Sequence, residues 1–199
     1  MLNVTVTEAS APGYVTVFPC GSAAPNASSL NYVKGSTVPN NVIAKIGDGG
    51  KVCLFTSQAT HLIVDVSGYF KAGAAFQPLV PARLLETRPG QSTVDGQGQG
   101  AGLQAANSIV EVQVTGRAGV PAGAVAAVLN VTVTDAQGPG YVTVWPCGTE
   151  RPTASSLNFD AGSTVANGVI AKVGDGGKVC LFVSNGTQLI ADIAGYFIS

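Results

Sequence analysis

Leu129, Val131 and Val133 alternate with Asn130, Thr132 and Thr134, the period of two that turns one face of a strand toward a core and the other toward a polar surface. A Gln137-Gly138-Pro139-Gly140 turn follows. In the next strand, 141–145, Val142 and Val144 share one face while Tyr141, Thr143 and Trp145 share the other. Pro146 ends it. The stretches 156–159, 169–173, 178–182 and 188–197 read as further short strands. Between the second and third of these, Asp175-Gly176-Gly177 predicts a hairpin turn.

The same pattern occurs 127 residues earlier, with Asp48-Gly49-Gly50 at its turn. Residues 2–70 and 129–197 align without a gap and are identical at 48 of 69 positions. A unit written twice on a short chain points to a structural or binding module before it points to a catalyst. Only the second copy is preceded by the segment 78–128, which reads as strands at 82–87, 108–114 and 124–128, the last running on into residue 129, around a Gly/Gln-rich loop at 91–106. A full period then holds about eight strands, which fits an all-β fold, an antiparallel β-sandwich of immunoglobulin-like or jelly-roll-like type. Two homologous units are expected: a partial first module at 1–71 and a complete second module at 72–199 with its extra strands in 78–128. The first unit, short of strands, must leave an edge open, share the segment or borrow a strand, because unpaired edges invite pairing. The expectation is that 78–128 packs with the second unit and that the first self-associates.

Composition narrows the partners. Of 199 residues, 46% are hydrophobic and only 11% charged, with a formal net charge of -1, which argues against a nucleic-acid surface and against binding to anionic membranes. The most apolar stretch, 119–133, is broken by Pro121, Gly123, Asn130 and Thr132 and is too short to cross a bilayer. Met1 leads at once into strand-like sequence without a basic start or apolar core, so the expectation is a fragment of a larger secreted protein.

The four cysteines obey the repeat, Cys20 and Cys147 in a PCG motif, Cys53 and Cys180 in GKVCLF. One disulfide within each copy, Cys20–Cys53 and Cys147–Cys180, is the plain reading, each contributing about 3–4 kcal/mol by loop closure. Zinc would need close cysteine pairs, usually with histidine, and His61 is the only histidine. An oxidising setting, extracellular or at the cell surface, follows, with no metal or cofactor expected.

PARLLETRPG (81–90), GRAGVPAGAVAAVLNVTVT (116–134), GYVTVWPCG (140–148), ASSLNF (154–159) and LIADIAGYF (189–197) together resemble a module found in tandem in large secreted or surface proteins of actinobacteria and related bacteria. The resemblance covers nearly the whole chain, with the first copy lacking the PARLLETR half. It implies an extracellular setting and carries no chemistry to any residue.

Candidate chemistry is sparse. His61 is replaced by Gln188 in the second copy, and no GxSxG motif accompanies a serine. Asp65 and Asp192, flanked by apolar residues, and Glu86 are the carboxylates a glycosidase-like hydrolase would use, which makes such an enzyme the alternative function. Asp192 reads otherwise as an outward polar residue or a partner for Lys172. Lys45 and Lys172, framed by apolar neighbours, resemble the lysines of surface domains that form intramolecular isopeptide bonds. Gly100, Gly102 and Ala105 match a dinucleotide pattern formally, without the βαβ context it needs. The leading binding candidates are aromatic. Tyr141 and Trp145, with Tyr14 and Phe18 in the first copy, either form an exposed platform for sugar rings or a protein partner, or are buried between sheets. The function expected is a noncatalytic structural or adhesive repeat that binds a glycan or a cell-envelope protein.

Overall fold

The computed structural model describes residues 1–71 and 73–199 and is nearly all β. The first unit contributes β1 (Leu2–Thr7), β2 (Gly13–Pro19), β3 (Leu30–Tyr32), β4 (Val38–Val42), β5 (Val52–Thr56) and β6 (His61–Val66). The second comprises β7 (Phe76–Glu86), β8 (Ser108–Gln113), β9 (Ala124–Thr134), β10 (Gly140–Pro146), β11 (Leu157–Phe159), β12 (Val165–Lys172), β13 (Lys178–Val183) and β14 (Gln188–Ile198). The boundary expected between residues 71 and 72 abuts residue 72, which lies outside the described residues.

Every strand ladder is antiparallel. In the second unit the sheets run β12-β9-β14-β7 and β11-β10-β13-β8; in the first they run β4-β1-β6 and β3-β2-β5. The first unit is therefore the second with one edge strand removed from each sheet. The alternating valines and leucines produce this because their inward halves meet between sheets: Leu129, Val131, Leu181, Leu189 and Ile193 in the second core, and Val4, Val6, Val15, Val17 and Leu30 in the first. Leu84 from β7 and Val112 from β8 complete the second core.

The Asp-Gly-Gly segments do not make hairpins. β12 pairs with β9, whereas β13 pairs with β10 and β8 in the facing sheet, so Asp175–Gly177 carries the chain from one layer to the other as a single tight turn. Glycines report positive φ, here 66° at Gly176 and 77° at Gly177, and that need is shared by hairpins and crossovers alike. Asp48–Gly50 does the same in the first unit. Each crossover is pinned to its disulfide: Asp175 N–H donates to the Cys147 carbonyl at 2.8 Å, and a Cβ at Gly174 would collide with the Cys147 backbone. Both disulfides, Cys20–Cys53 and Cys147–Cys180, are formed.

Two elements depart from their expected extent. β7 begins at Phe76 rather than 82, and β12 at Val165 rather than 169, because polar residues along both face a neighbouring strand edge instead of solvent. The 91–106 loop, of flexible composition, is bonded along β7: Glu86 N–H donates to the Gly98 carbonyl and Gly100 N–H returns to the Glu86 carbonyl. Its glycines line a strand edge, not a phosphate cradle.

Candidate functional site

The most polar buried place in the molecule lies where the two units meet. On β14, residues 189, 191 and 193 face the core, which leaves Asp192 on the outer face of the sheet. It is nevertheless only 2% exposed. Two neighbours enclose it. Arg83, opposite it on β7, donates from Nε to Oδ1 at 2.9 Å and from Nη2 to Oδ2 at 3.2 Å, and the backbone N–H of Ser28, from the first unit, donates to Oδ2 at 2.8 Å.

Arg83 also donates from Nη1 to Glu86 Oε2 at 2.7 Å, and Arg88 grips the same carboxylate from Nε and Nη2 at 2.9 and 2.8 Å. Two guanidiniums and two carboxylates thus form a neutral chain, the arrangement that makes buried charge tolerable. Burial would lift the Glu86 carboxyl, but the Arg88 hydrogen bonds and charge, with Arg83, outweigh it and hold it below its ordinary value. Burial pushes the Asp192 carboxyl up against the pull of Arg83 and Ser28. Burial likewise opposes the Arg83 charge, and Asp192 and Glu86 overcome it to keep Arg83 protonated. Among the described residues no buried side-chain nitrogen or oxygen lacks a partner. A general acid or base must reach a substrate proton, and these carboxylate oxygens are already occupied.

The surrounding contacts extend this seam. Asn130 donates to the Ser28 carbonyl at 2.5 Å and accepts from Asn40 at 2.9 Å, while the Asn40 side-chain oxygen accepts from Gly168 N–H at 3.1 Å. Gly168 is required there, because a Cβ would stand 2.7 Å from the Asn41 carbonyl oxygen. Ile43 packs on Phe76 and Val128. Between the units lies a cavity of about 290 Å³ lined by Val17, Ser28, Ile43, Asn130, Val169 and Asp192.

The sequence-predicted residues are scattered by comparison. Trp145 is buried against Cys147, Cys180 and Phe182, with Nε1 donating to the Thr149 carbonyl at 3.2 Å, and Phe18 is buried in the equivalent place. Their strands are central in their sheets, so both faces are covered. Tyr14 and Tyr141 stay at the surface, stacked on Phe55 and Phe182 at 5.9 and 5.8 Å. The expected joint platform is thus divided: the tyrosines are available and Trp145 and Phe18 are not. Tyr141 borders a hollow of about 350 Å³ with Thr143, Arg151, Ser155 and Asn158.

Asp192 pairs with Arg83, not Lys172. Lys172 stands opposite Ala126 at the far end of β12, and both it and Lys45 are exposed, without the buried carboxyl or amide neighbour an isopeptide bond requires. Asp65 is exposed and pairs with no basic side chain among the described residues. His61 Nε2 lies 3.5 Å from Glu8 at the surface. Glu111 approaches Cys147 and Cys180, but the disulfide leaves those sulfurs no thiolate for a metal. No described helix is long and apolar enough to cross a membrane.

Arg83 is the central residue that the candidates passed over. Its signal was a single basic residue inside the apolar run Pro81-Ala82-Arg83-Leu84-Leu85, where burial forces a charge to find a partner. Searches of family models, curated proteins and solved structures find no match to this chain.

Proposed function

We propose that the chain is a noncatalytic extracellular structural repeat whose units stack through the Ser28–Asp192 seam. The observation that carries the reading is the use of the one buried acidic group of the seam to accept a backbone N–H from the neighbouring unit. Two disulfides and the resemblance to tandem modules of secreted bacterial proteins support the setting. The unit 1 edge that docks on the seam, Ala27, Ser28, Asn31, Asn40 and Ile43, recurs in unit 2 as Ala154, Ser155, Asn158, Asn167 and Ile170. Stacking of this kind has a polarity, edge onto sheet face, and continues without closing.

Hydrogen exchange tests it. Amides at 27–31 should exchange as slowly as the unit 2 core, and Asp192→Asn should speed them. Exchange at 27–31 as fast as at an exposed loop overturns the stacking reading. Turnover of a glycoside panel that is lost in Glu86→Gln or Asp192→Asn overturns the noncatalytic one.

The hollow beside Tyr141 favours a second, adhesive reading, in which a sugar ring or cell-envelope protein lies on Tyr141 with Arg151 and Asn158 as polar contacts. A glycan array with Tyr141→Ala as control tests it, and signal unchanged in that variant counts against it. Self-association through the incomplete first unit belongs to the same proposal, and light scattering that shows a strict monomer removes it.

A further inference from the structure

We infer that the open side of the first unit is a binding slot for a pair of β-strands with the chemistry of β7 and β8, supplied by another protein segment, and that Asp65 receives an arginine from the incoming strand. The second unit is the template. There β14 is paired on its far side with β7, and β13 with β8. In the first unit β6 and β5 are each paired on one side only. Their outer backbone N–H and C=O groups are a ready ladder for an added strand.

The side chains agree. Leu62, Val64 and Val66 are the counterparts of Leu189, Ala191 and Ile193, which are fully buried in the second core. In the first unit the same three are 36%, 40% and 76% exposed, although they stand opposite Val6, Val4 and Leu2 on the inner face. Phe55, counterpart of the buried Phe182, is 42% exposed. The core is thus open along one flank, and the opening continues into a hollow of about 470 Å³ bordered by Leu2, Ile46, Val52 and Val66. An apolar slot flanked by two unpaired strand edges fits a strand pair better than a small ligand, because only a strand meets both the backbone ladder and the exposed core.

The register follows from the second unit, where Asp192 faces Arg83, Ala191 faces Leu85 and Ile190 faces Glu86. An incoming strand in that register sets its arginine against Asp65, a leucine against Val64 and an acidic residue against Ile63. On the other sheet, Leu54 and Phe55 take the partners that Val110 and Ile109 provide to Leu181 and Phe182. Charge, hydrophobicity and edge geometry therefore select the same occupant. The chain's own 78–128 segment has that chemistry and is committed to the second unit.

Two experiments decide it. A peptide of residues 76–114 is added to the full chain, and a lengthened chain is made with an extra copy of residues 73–128 placed before Leu2. In the lengthened chain, amides of β5 and β6 should exchange about tenfold or more slowly, as expected when an edge joins a ladder. Asp65→Ala should reverse the gain, as should replacing the arginine of the added copy, while exchange at 27–31 stays unchanged. The peptide should give the same protection, weakened by the same changes. Unaltered exchange of β5 and β6 in the lengthened chain overturns the inference, and so does protection indifferent to Asp65 and to that arginine. A dimer that protects β6 by pairing two β6 edges, and that the peptide does not dissociate, overturns it in favour of a second copy as occupant. Because exchange at 27–31 reads the seam separately, failure here leaves the stacking proposal standing.

Discussion

Ile43 and Ile170 occupy the same place in the repeat, as do Asn40 and Asn167, yet Ile43 is 8% exposed and Ile170 59%. The difference is not internal to either unit. In both, the threonine of the central strand donates to the carbonyl of residue 27 or 154, the serine at 29 or 156 accepts from the strand amide, and the asparagine at 40 or 167 donates to that serine's carbonyl. The edge is built identically whether or not anything covers it. Burial of this surface is a property of the neighbour, while its shape is a property of the unit, which is how a repeat can present an interface before its partner arrives.

The sharpest way to break the comparison is at the acidic pair. Arg83→Ala leaves Asp192 and Glu86 buried without their shared guanidinium and should destabilise the second unit by about 3–5 kcal/mol, the usual result of orphaning one side of a buried ion pair. Asp65→Ala, at the equivalent of Asp192, should change stability by less than about 0.5 kcal/mol, as an exposed site would. Urea titration followed by the fluorescence of Trp145, the only tryptophan, reads the first variant, and exchange in β6 reads the second. Equal losses would mean that Asp65 already has a partner in solution.

The disulfides come next. Both close 33-residue separations, so chain entropy assigns each about 3–4 kcal/mol. The first unit, with only three strands per sheet, has less core to fall back on. Removing Cys20–Cys53 by paired serine substitutions should therefore unfold the first unit at ambient temperature, whereas removing Cys147–Cys180 should lower the second unit's denaturation midpoint and leave it folded. Limited proteolysis with mass mapping distinguishes them, and the reverse order of sensitivity would show that the open flank is not a weakness.

Acid probes the same asymmetry more gently. Glu86 and Asp95 are held below their ordinary values, Glu86 chiefly against burial by Arg88 and Asp95 by the Arg117 hydrogen bonds. A depressed carboxyl adds stability that is present above its unfolded value, about 4, and is lost as pH falls through the folded one. Asp192, pushed upward by burial, works in the opposite sense and softens the loss. The second unit should thus weaken as pH drops below about 4, as seen by Trp145 fluorescence, with the dependence shallower in Glu86→Gln and Asp95→Asn.

Much of the fold was legible because its signals are local. Period-two alternation, the doubled cysteines and the 127-residue offset foretold an eight-stranded sandwich and its truncated copy. The Asp-Gly-Gly turns misled because glycine encodes backbone geometry and not which strand will pair beyond it. Trp145 misled because alternation places a side chain on a face without saying whether another layer covers that face. The seam was hidden for a related reason. Ser28 meets Asp192 across 164 residues through a backbone N–H, and backbone donors leave no mark in a sequence. Arg83 was visible only as a charge in an apolar run, a signal that says a partner exists without naming it.

The smallest effect is the most discriminating, because it uses identical residues. Asn40 joins three groups at the seam: it donates to the carbonyl of Ser29 and to Asn130, and accepts from Gly168 N–H. Asn167 makes the first of these bonds, to Ser156, and lies exposed. Replacing Asn40 by alanine leaves the Gly168 amide and the Asn130 oxygen short of partners in a place closed to water, at a cost of about 1–3 kcal/mol. Replacing Asn167 exposes the freed Ser156 carbonyl to water, which satisfies it, so the change should stay within about 0.5 kcal/mol. Thermal unfolding of the two variants beside the parent measures the difference directly. If the two substitutions cost the same, the docked edge gains nothing from its neighbour, and the units are beads on a string instead of a stack.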